Sequence, residues 1–158
     1  MQDKKYHLPT ESILIINKSV IQHFKNYVQE PKDKKRESGG QLFSHNPHKK
    51  NVVIDRITGP YISDKSSRYS WKPDVQKMSK DRENLFEEQY YIVGLWHTHP
   101  EGYPKSSNQD KKTCRKHLDL LEENYNGFLL CTMGYENLLV EYLDRSTMKW
   151  YKLIEVKG

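Results

Sequence analysis

The sequence predicts one mixed α/β (α+β) domain, in which about three helices flank a mixed sheet of six or so strands. Its 158 residues fit a single compact domain over 1–158, with a core over about 10–155. Helical 3.6-residue periodicity alternates along the chain with short β-branched and aromatic runs. The last third holds three such runs joined by tight turns, an antiparallel pattern.

Ser12 to Ile16 reads as a short buried strand, and Asn17 or Ser19 caps a helix carrying Val20, Ile21, Phe24, Tyr27 and Val28 on one face. Pro31 ends that region, and Pro31 to Arg36 is a charged connector expected to be mobile. Glu37-Ser38-Gly39-Gly40 then leads into a strand over Gln41 to Ser44, followed by an Asn46-Pro47 turn. Asn51 to Thr58 alternates as a half-buried strand, Gly59-Pro60 punctuates it, and Ser63 to Ser70 is loop. A second helix is expected from the Trp71 to Asp74 region to about Gln89, with Val75, Met78, Arg82, Leu85 and Phe86 at helical spacing. Tyr90 to Trp96 is the strongest strand, and a third helix is expected over about Asn108 to Asn124, with Cys114, His117, Leu118 and Leu121 as its stripe. Phe128 to Met133, Asn137 to Leu143 and Met148 to Ile154 are the closing strands.

Composition narrows the function. The longest aliphatic run, Ile13 to Ile16, is far short of the roughly 20 apolar residues of a spanning helix, and Met1 to Thr10 lacks a signal peptide's apolar stretch. A cytoplasmic protein with no membrane partner is expected. The net charge of +5 comes from lysines scattered over separate segments without interleaved aromatics, which argues for a solvated basic surface over a nucleic-acid groove. Cys114 and Cys131 lack CxxC spacing, so they are expected to be reduced, buried thiols.

The chemistry concentrates in His97-Thr98-His99 and Ser107-x-x-Asp110. Residues i and i+2 of an extended segment project to one side, so His97 and His99 can aim two imidazoles at one ion. Asp110, in the first turn of the next helix, can add a carboxylate oxygen. Three protein ligands with a fourth position open is the arrangement of catalytic zinc, which lowers the pKa of a water toward about 7 and polarises a carbonyl, so amide hydrolysis is implied. Such a site needs a proton shuttle and an oxyanion donor, roles that Glu37 and Ser107 can fill. Ser107-x-x-Asp110 is also a helix capping box, and the two roles are compatible because the helix start fixes both side chains.

These residues resemble the JAB/MPN family of metalloenzymes, whose JAMM motif is a Glu followed at a distance by His-x-His-x7-Ser-x2-Asp. Carried over, the resemblance implies one Zn2+ held by His97, His99 and Asp110, Glu37 as general acid/base, Ser107 as oxyanion stabiliser, and a cytidine-deaminase-like sandwich. Glu-Ser-Gly-Gly and Trp-His-Thr-His-Pro-Glu are most similar to the small stand-alone bacterial deconjugases of CBASS anti-phage operons. The partners then implied are a ubiquitin-like conjugated protein, a cyclic-oligonucleotide synthase joined through its C-terminal tail, and the E1/E2-like ligase whose work is reversed. Ser106 stands where the family commonly has proline, while Pro104 remains. Trp96, Glu101 and Tyr103 flank the ligands as candidate lining for a substrate groove, with Trp71 in the core or over the groove's rim, while His45, His48 and His117 read as structural or surface residues. A RadC-like or phage-tail relative acting on another amide or nucleic-acid-linked substrate, or a non-catalytic scaffold, are the alternatives. A nucleobase deaminase is excluded, since it needs His-x-Glu and Pro-Cys-x-x-Cys.

Overall fold

The computed structural model describes residues 1–121 and 125–157. In chain order these form β1 (Lys4–His7), β2 (Ile13–Ile16), α1 (Lys18–Asn26), β3 (Gly39–Ser44), β4 (Val52–Ile54), β5 (Arg56–Ile57), α2 (Val75–Glu87), β6 (Tyr91–Thr98), α3 (Asn108–Leu120), β7 (Gly127–Met133), β8 (Leu138–Asp144), β9 (Trp150–Lys152) and β10 (Ile154–Glu155). They build a mixed α+β fold as expected, with the strands divided between a six-stranded sheet, β5-β3-β6-β7-β8-β9, and a four-stranded one, β10-β1-β2-β4.

Two expected single strands each serve both sheets. In 51–58, β4 runs parallel to β2, the chain crosses at Asp55, and β5 pairs with β3. In 148–154, β9 pairs with β8, Leu153 is buried at the corner, and β10 pairs with β1. Alternation reports which face a residue buries, not which edge it joins, so it cannot show such crossings. Strand β1 carries no sequence signal, because Lys4-Lys5-Tyr6-His7 offers one buried residue, Tyr6.

The helices follow their apolar stripes with small corrections. Helix α1 buries Val20, Ile21 and Phe24, and its cap residue Asn17 makes no side-chain cap bond. Helix α2 is capped by Asp74, whose carboxylate accepts the Lys77 N–H, and buries Met78 and Leu85, leaving Val75 and Phe86 exposed. It stops at Glu87 because Gln89 takes a left-handed conformation (φ 66°), a stop without the usual glycine signal. Helix α3 is defined to Leu120, and the expected extension over 122–124 lies outside the described residues. Helix α3 is the crossover between the parallel strands β6 and β7.

Strand β6 is central in its sheet and runs two residues past Trp96. Register places Leu95 beside Gln41 and Leu130, and His97 beside Gly39 and Thr132. Leu95 and His97 therefore share one face, while Trp96 and Thr98 share the other. On the approach to this strand, Gly39-Gly40 allows backbones to close up: a Cβ on Gly40 would lie 1.8 Å from the Thr58 carbonyl oxygen. Gly40→Ala is accordingly expected to destabilise the fold by about 3 kcal/mol through backbone displacement, measured as a lower urea midpoint.

Candidate metal centre

The end of β6 and the start of α3 converge on one carboxylate oxygen. Asp110 Oδ2 stands 3.3 Å from His97 Nε2 and 3.6 Å from His99 Nε2. The two imidazoles lie stacked, with centroids 4.6 Å apart and planes at 20°. Tetrahedral bonds of about 2.0–2.1 Å require ligand atoms about 3.3–3.4 Å apart, close to the two Asp110–imidazole distances, so this donor set fits a small divalent cation. All three ligand atoms lie within 4.8 Å of one another.

Local structure fixes each member. His97 is a buried strand residue whose Nε2 also approaches the Thr132 hydroxyl at 3.4 Å. The Nδ1 of His99 faces Glu101 Oε1 at 3.1 Å, an arrangement in which the ring donates there and turns the Nε2 lone pair toward the cluster. Glu101→Ala is expected to weaken metal binding by about 10–100-fold with the three ligands intact, read by titration against a competing chelator. Asp110 is set by a complete capping box: Ser107 Oγ accepts the Asp110 N–H (3.0 Å), and Asp110 Oδ2 accepts the Ser107 N–H (2.9 Å). Only a lone pair of Ser107 is used in that bond, so its O–H remains able to donate into the cleft.

Electrostatics agrees with this arrangement. Burial pushes the Asp110 carboxyl upward, but hydrogen bonds from His97 and His99 hold it well below the usual carboxylate range. Burial pulls His99 down, and Asp110, Glu37 and Glu101 outweigh it and raise the imidazole above its ordinary value. Glu37, 7% exposed, lines the same cleft, and its carboxyl is raised from 4.5 to about 7. Burial is the main cause, His99 works against it, and Asp110 and Glu101 add to it. A carboxyl pushed toward neutrality beside one held anionic is the division that acid/base chemistry requires.

The cleft measures about 940 Å³ and runs from the cluster between α2 and α3. Leu95 and Leu130 form its floor, Val75, Met78 and Arg82 one wall, Thr113 and His117 the other, with Tyr69 and Trp71 at the mouth. Trp71 stacks obliquely on His97, with centroids 6.1 Å apart, over Gly39, where a Cβ would lie 2.5 Å from the indole. Glu101 lines this cleft. The expectation for Trp96 is corrected: the ring is 0% exposed, packs on His23, Phe24 and Tyr27, and donates to the Thr58 carbonyl. Tyr103 is 72% exposed and outside the cleft. His117 lines the cleft, where its Nδ1 bonds the Thr113 carbonyl oxygen and its ring stacks on Phe128. His45 contacts Asp55, and His48 packs edge-on against Tyr125.

The charged connector is also held. Arg68 donates to Asp33, to the Lys35 carbonyl and to the Glu30 carbonyl, and Asp33 accepts the Glu30 and Lys35 N–H groups. Its composition suggests mobility, but the Arg68 contacts come from 33 to 38 residues along the chain and leave no local signal.

Among the described residues no helix is long and apolar enough to cross a membrane. Residues 22–143 match the family model described as prokaryotic homologs of the JAB domain. A curated relative, the CD-NTase/cGAS isopeptidase of Pseudomonas aeruginosa (strain BWHPSA011 / Pa011), is 29% identical over 138 residues, 85% of each chain. The solution structure of protein DSY2949 from Desulfitobacterium hafniense superposes with a TM-score of 0.59 at 11% identity, covering 90% of this chain and 88% of that one, a likeness of fold. With more than half of its length matched by the family model and its fold shared, the chain belongs to the prokaryotic homologs of the JAB domain.

Proposed function

We propose that this chain, as a single catalytic domain, is a zinc-dependent isopeptidase of the JAMM type. It hydrolyses the amide that follows the C-terminal tail of a ubiquitin-like modifier or a similarly conjugated protein. The observation that carries the reading is the convergence of His97 and His99 on the Asp110 carboxylate, with the buried Glu37 carboxyl in the same cleft. Two imidazoles and one carboxylate with an open side favour zinc among the available divalent ions. The name of the Pseudomonas relative, a CD-NTase/cGAS isopeptidase, supports a CD-NTase as the conjugated protein; in our reading that synthase is joined through its C-terminal tail by an E1/E2-like ligase of a CBASS anti-phage system. Two free, buried cysteines suit a reducing cytoplasm.

When bound, the cation supplies Lewis-acid polarisation of the scissile carbonyl and acidifies the attacking water. Glu37 accepts a proton from that water as its oxygen bonds the carbonyl carbon. The Ser107 O–H donates to the carbonyl oxygen as charge develops there. Glu37 then hands its proton to the departing amine nitrogen as the C–N bond breaks, leaving a free carboxyl terminus and a free amine. Asp110 stays anionic throughout, and Glu101 holds His99 in its ligating orientation.

Because Glu37 must start unprotonated, activity falls as pH drops through its pKa. A cation held by His97, His99 and Asp110 would draw that value back from about 7 toward the ordinary 4.5. The acid limb of the kcat/KM profile is thus expected between those two values, and Glu37→Gln is expected to remove it. The reading is tested with Glu37→Ala as bait in extracts containing the conjugating enzymes, followed by addition of wild-type protein. Chelator-sensitive release of a protein with a free carboxyl terminus supports the reading. Retention of no conjugate by a zinc-loaded bait contradicts it.

A further inference from the structure

Glu37 lies in coil ahead of β3, yet the proposed chemistry needs its carboxyl held in one place. A fully buried glutamine, Gln29 at 0% exposure, reaches across the segments around it. Its Oε1 accepts from the Thr98 hydroxyl (2.9 Å), and its Nε2 donates to the carbonyl oxygens of Lys35 (3.1 Å) and Arg68 (2.9 Å). Thr98 in turn accepts the Ser38 N–H at its hydroxyl (3.0 Å) and donates its own N–H to the Ser38 carbonyl (2.9 Å). The Glu37 N–H donates to the Ser67 carbonyl oxygen (2.8 Å).

Every polar atom of the Gln29 amide is thereby engaged, and two carbonyls on the nitrogen side forbid a flipped orientation. One side chain fastens three pieces: the connector before Glu37, the 67–70 loop that leads to the mouth of the cleft, and β6 at the residue between the two histidines. Thr98 points to the face opposite His97, so the fastening approaches the site from behind, and neither Gln29 nor Thr98 lines the cleft.

We infer that Gln29, acting through Thr98, is a positioning residue that sets Glu37 against the His97/His99/Asp110 cluster; the inference rests on the isopeptidase reading. A displacement on the ångström scale at a catalytic group costs about 100-fold in rate. Gln29→Met keeps the volume and removes all three bonds; Thr98→Val removes only the hydroxyl; Thr98→Ser keeps it.

The substrate for the test is a synthase-tail peptide joined through its terminal carboxyl to a lysine Nε. Gln29→Met and Thr98→Val are expected to lower kcat about 100-fold, with KM within about 3-fold and one metal per chain retained, and Thr98→Ser is expected to restore kcat to within a few-fold of wild type. Amide hydrogen exchange at Glu37 and Ser38 is expected to accelerate in the first two variants and not in the third. Should Gln29→Met fail to fold, Thr98→Val, which removes a single hydroxyl, carries the test. Unchanged kcat, or a loss that Thr98→Ser shares, overturns the inference. If wild-type protein releases nothing from the conjugate, the isopeptidase reading fails while the exchange arm still decides the clamp: unchanged exchange at Glu37 overturns it.

Discussion

Glu37→Gln is expected to lower kcat/KM by about 10³-fold while zinc remains bound at one per chain. The substitution keeps the shape of the side chain and removes the group proposed to accept and return the proton, and general acid/base catalysis contributes on the order of 10²–10⁴. No metal-ligand atom is lost, so chelator titration should give wild-type affinity within a few-fold. The same change affects stability in a direction that can be worked out. With its folded pKa raised to about 7 from 4.5, the metal-free folded protein holds a proton that the unfolded chain has released, so this group's contribution weakens stability as pH rises between those values. Glu37→Gln therefore is expected to raise the melting temperature of metal-free protein at pH 8, opposite to its effect on rate. A rate within 10-fold of wild type would remove Glu37 from the chemistry.

Asp110→Asn is expected to lower metal affinity by about 100-fold or more and to abolish hydrolysis at stoichiometric zinc. The Asp110 oxygen is where both imidazoles converge, and the charge held there by His97 and His99 is what the neutral amide lacks. The capping box offers a control for folding. Ser107→Ala deletes the bond to the Asp110 N–H and is expected to cost about 1 kcal/mol in stability while keeping the metal. Loss of metal in Asp110→Asn but not in Ser107→Ala separates ligation from helix capping. Equal metal content in both would assign Asp110 to the helix start alone.

What the sequence reveals of this site depends on how local each signal is. His97 and His99 are two apart at the end of an aromatic, β-branched strand, so their shared face follows from strand geometry alone. Asp110 is legible because a capping box marks a helix start, and Glu37 because two glycines announce a close backbone approach. The same parity that unites the histidines places Trp96 on the opposite face, where it joins the core with Phe24 and Tyr27. Proximity in sequence had suggested groove lining, and alternation decides against it. Tyr103 follows the strand in a loop that has no period to orient it.

The features that escaped are those whose partners are distant in the chain. Gln29 follows a helix without any pattern of its own, and its partners Arg68 and Thr98 lie 39 and 69 residues away. The Arg68 contacts that hold the connector are equally remote, so a lysine-rich run looked mobile. The division of the strands into two sheets turns on Asp55 and Leu153, single residues at which the chain changes edges. The cleft walls combine α2 and α3, and only their packing on Leu95 and Leu130 brings Arg82 and His117 to one cavity.

The most direct measurement follows intact mass when purified protein meets a synthase-tail peptide joined to a lysine side chain, with and without chelator. The account predicts a product ending in a free carboxyl terminus, its loss on chelation, its return on adding zinc, and its absence with Glu37→Gln. Cleavage that persists in chelator, or an untouched conjugate in the presence of fully zinc-loaded protein, would contradict a metal-dependent isopeptidase centred on His97, His99 and Asp110.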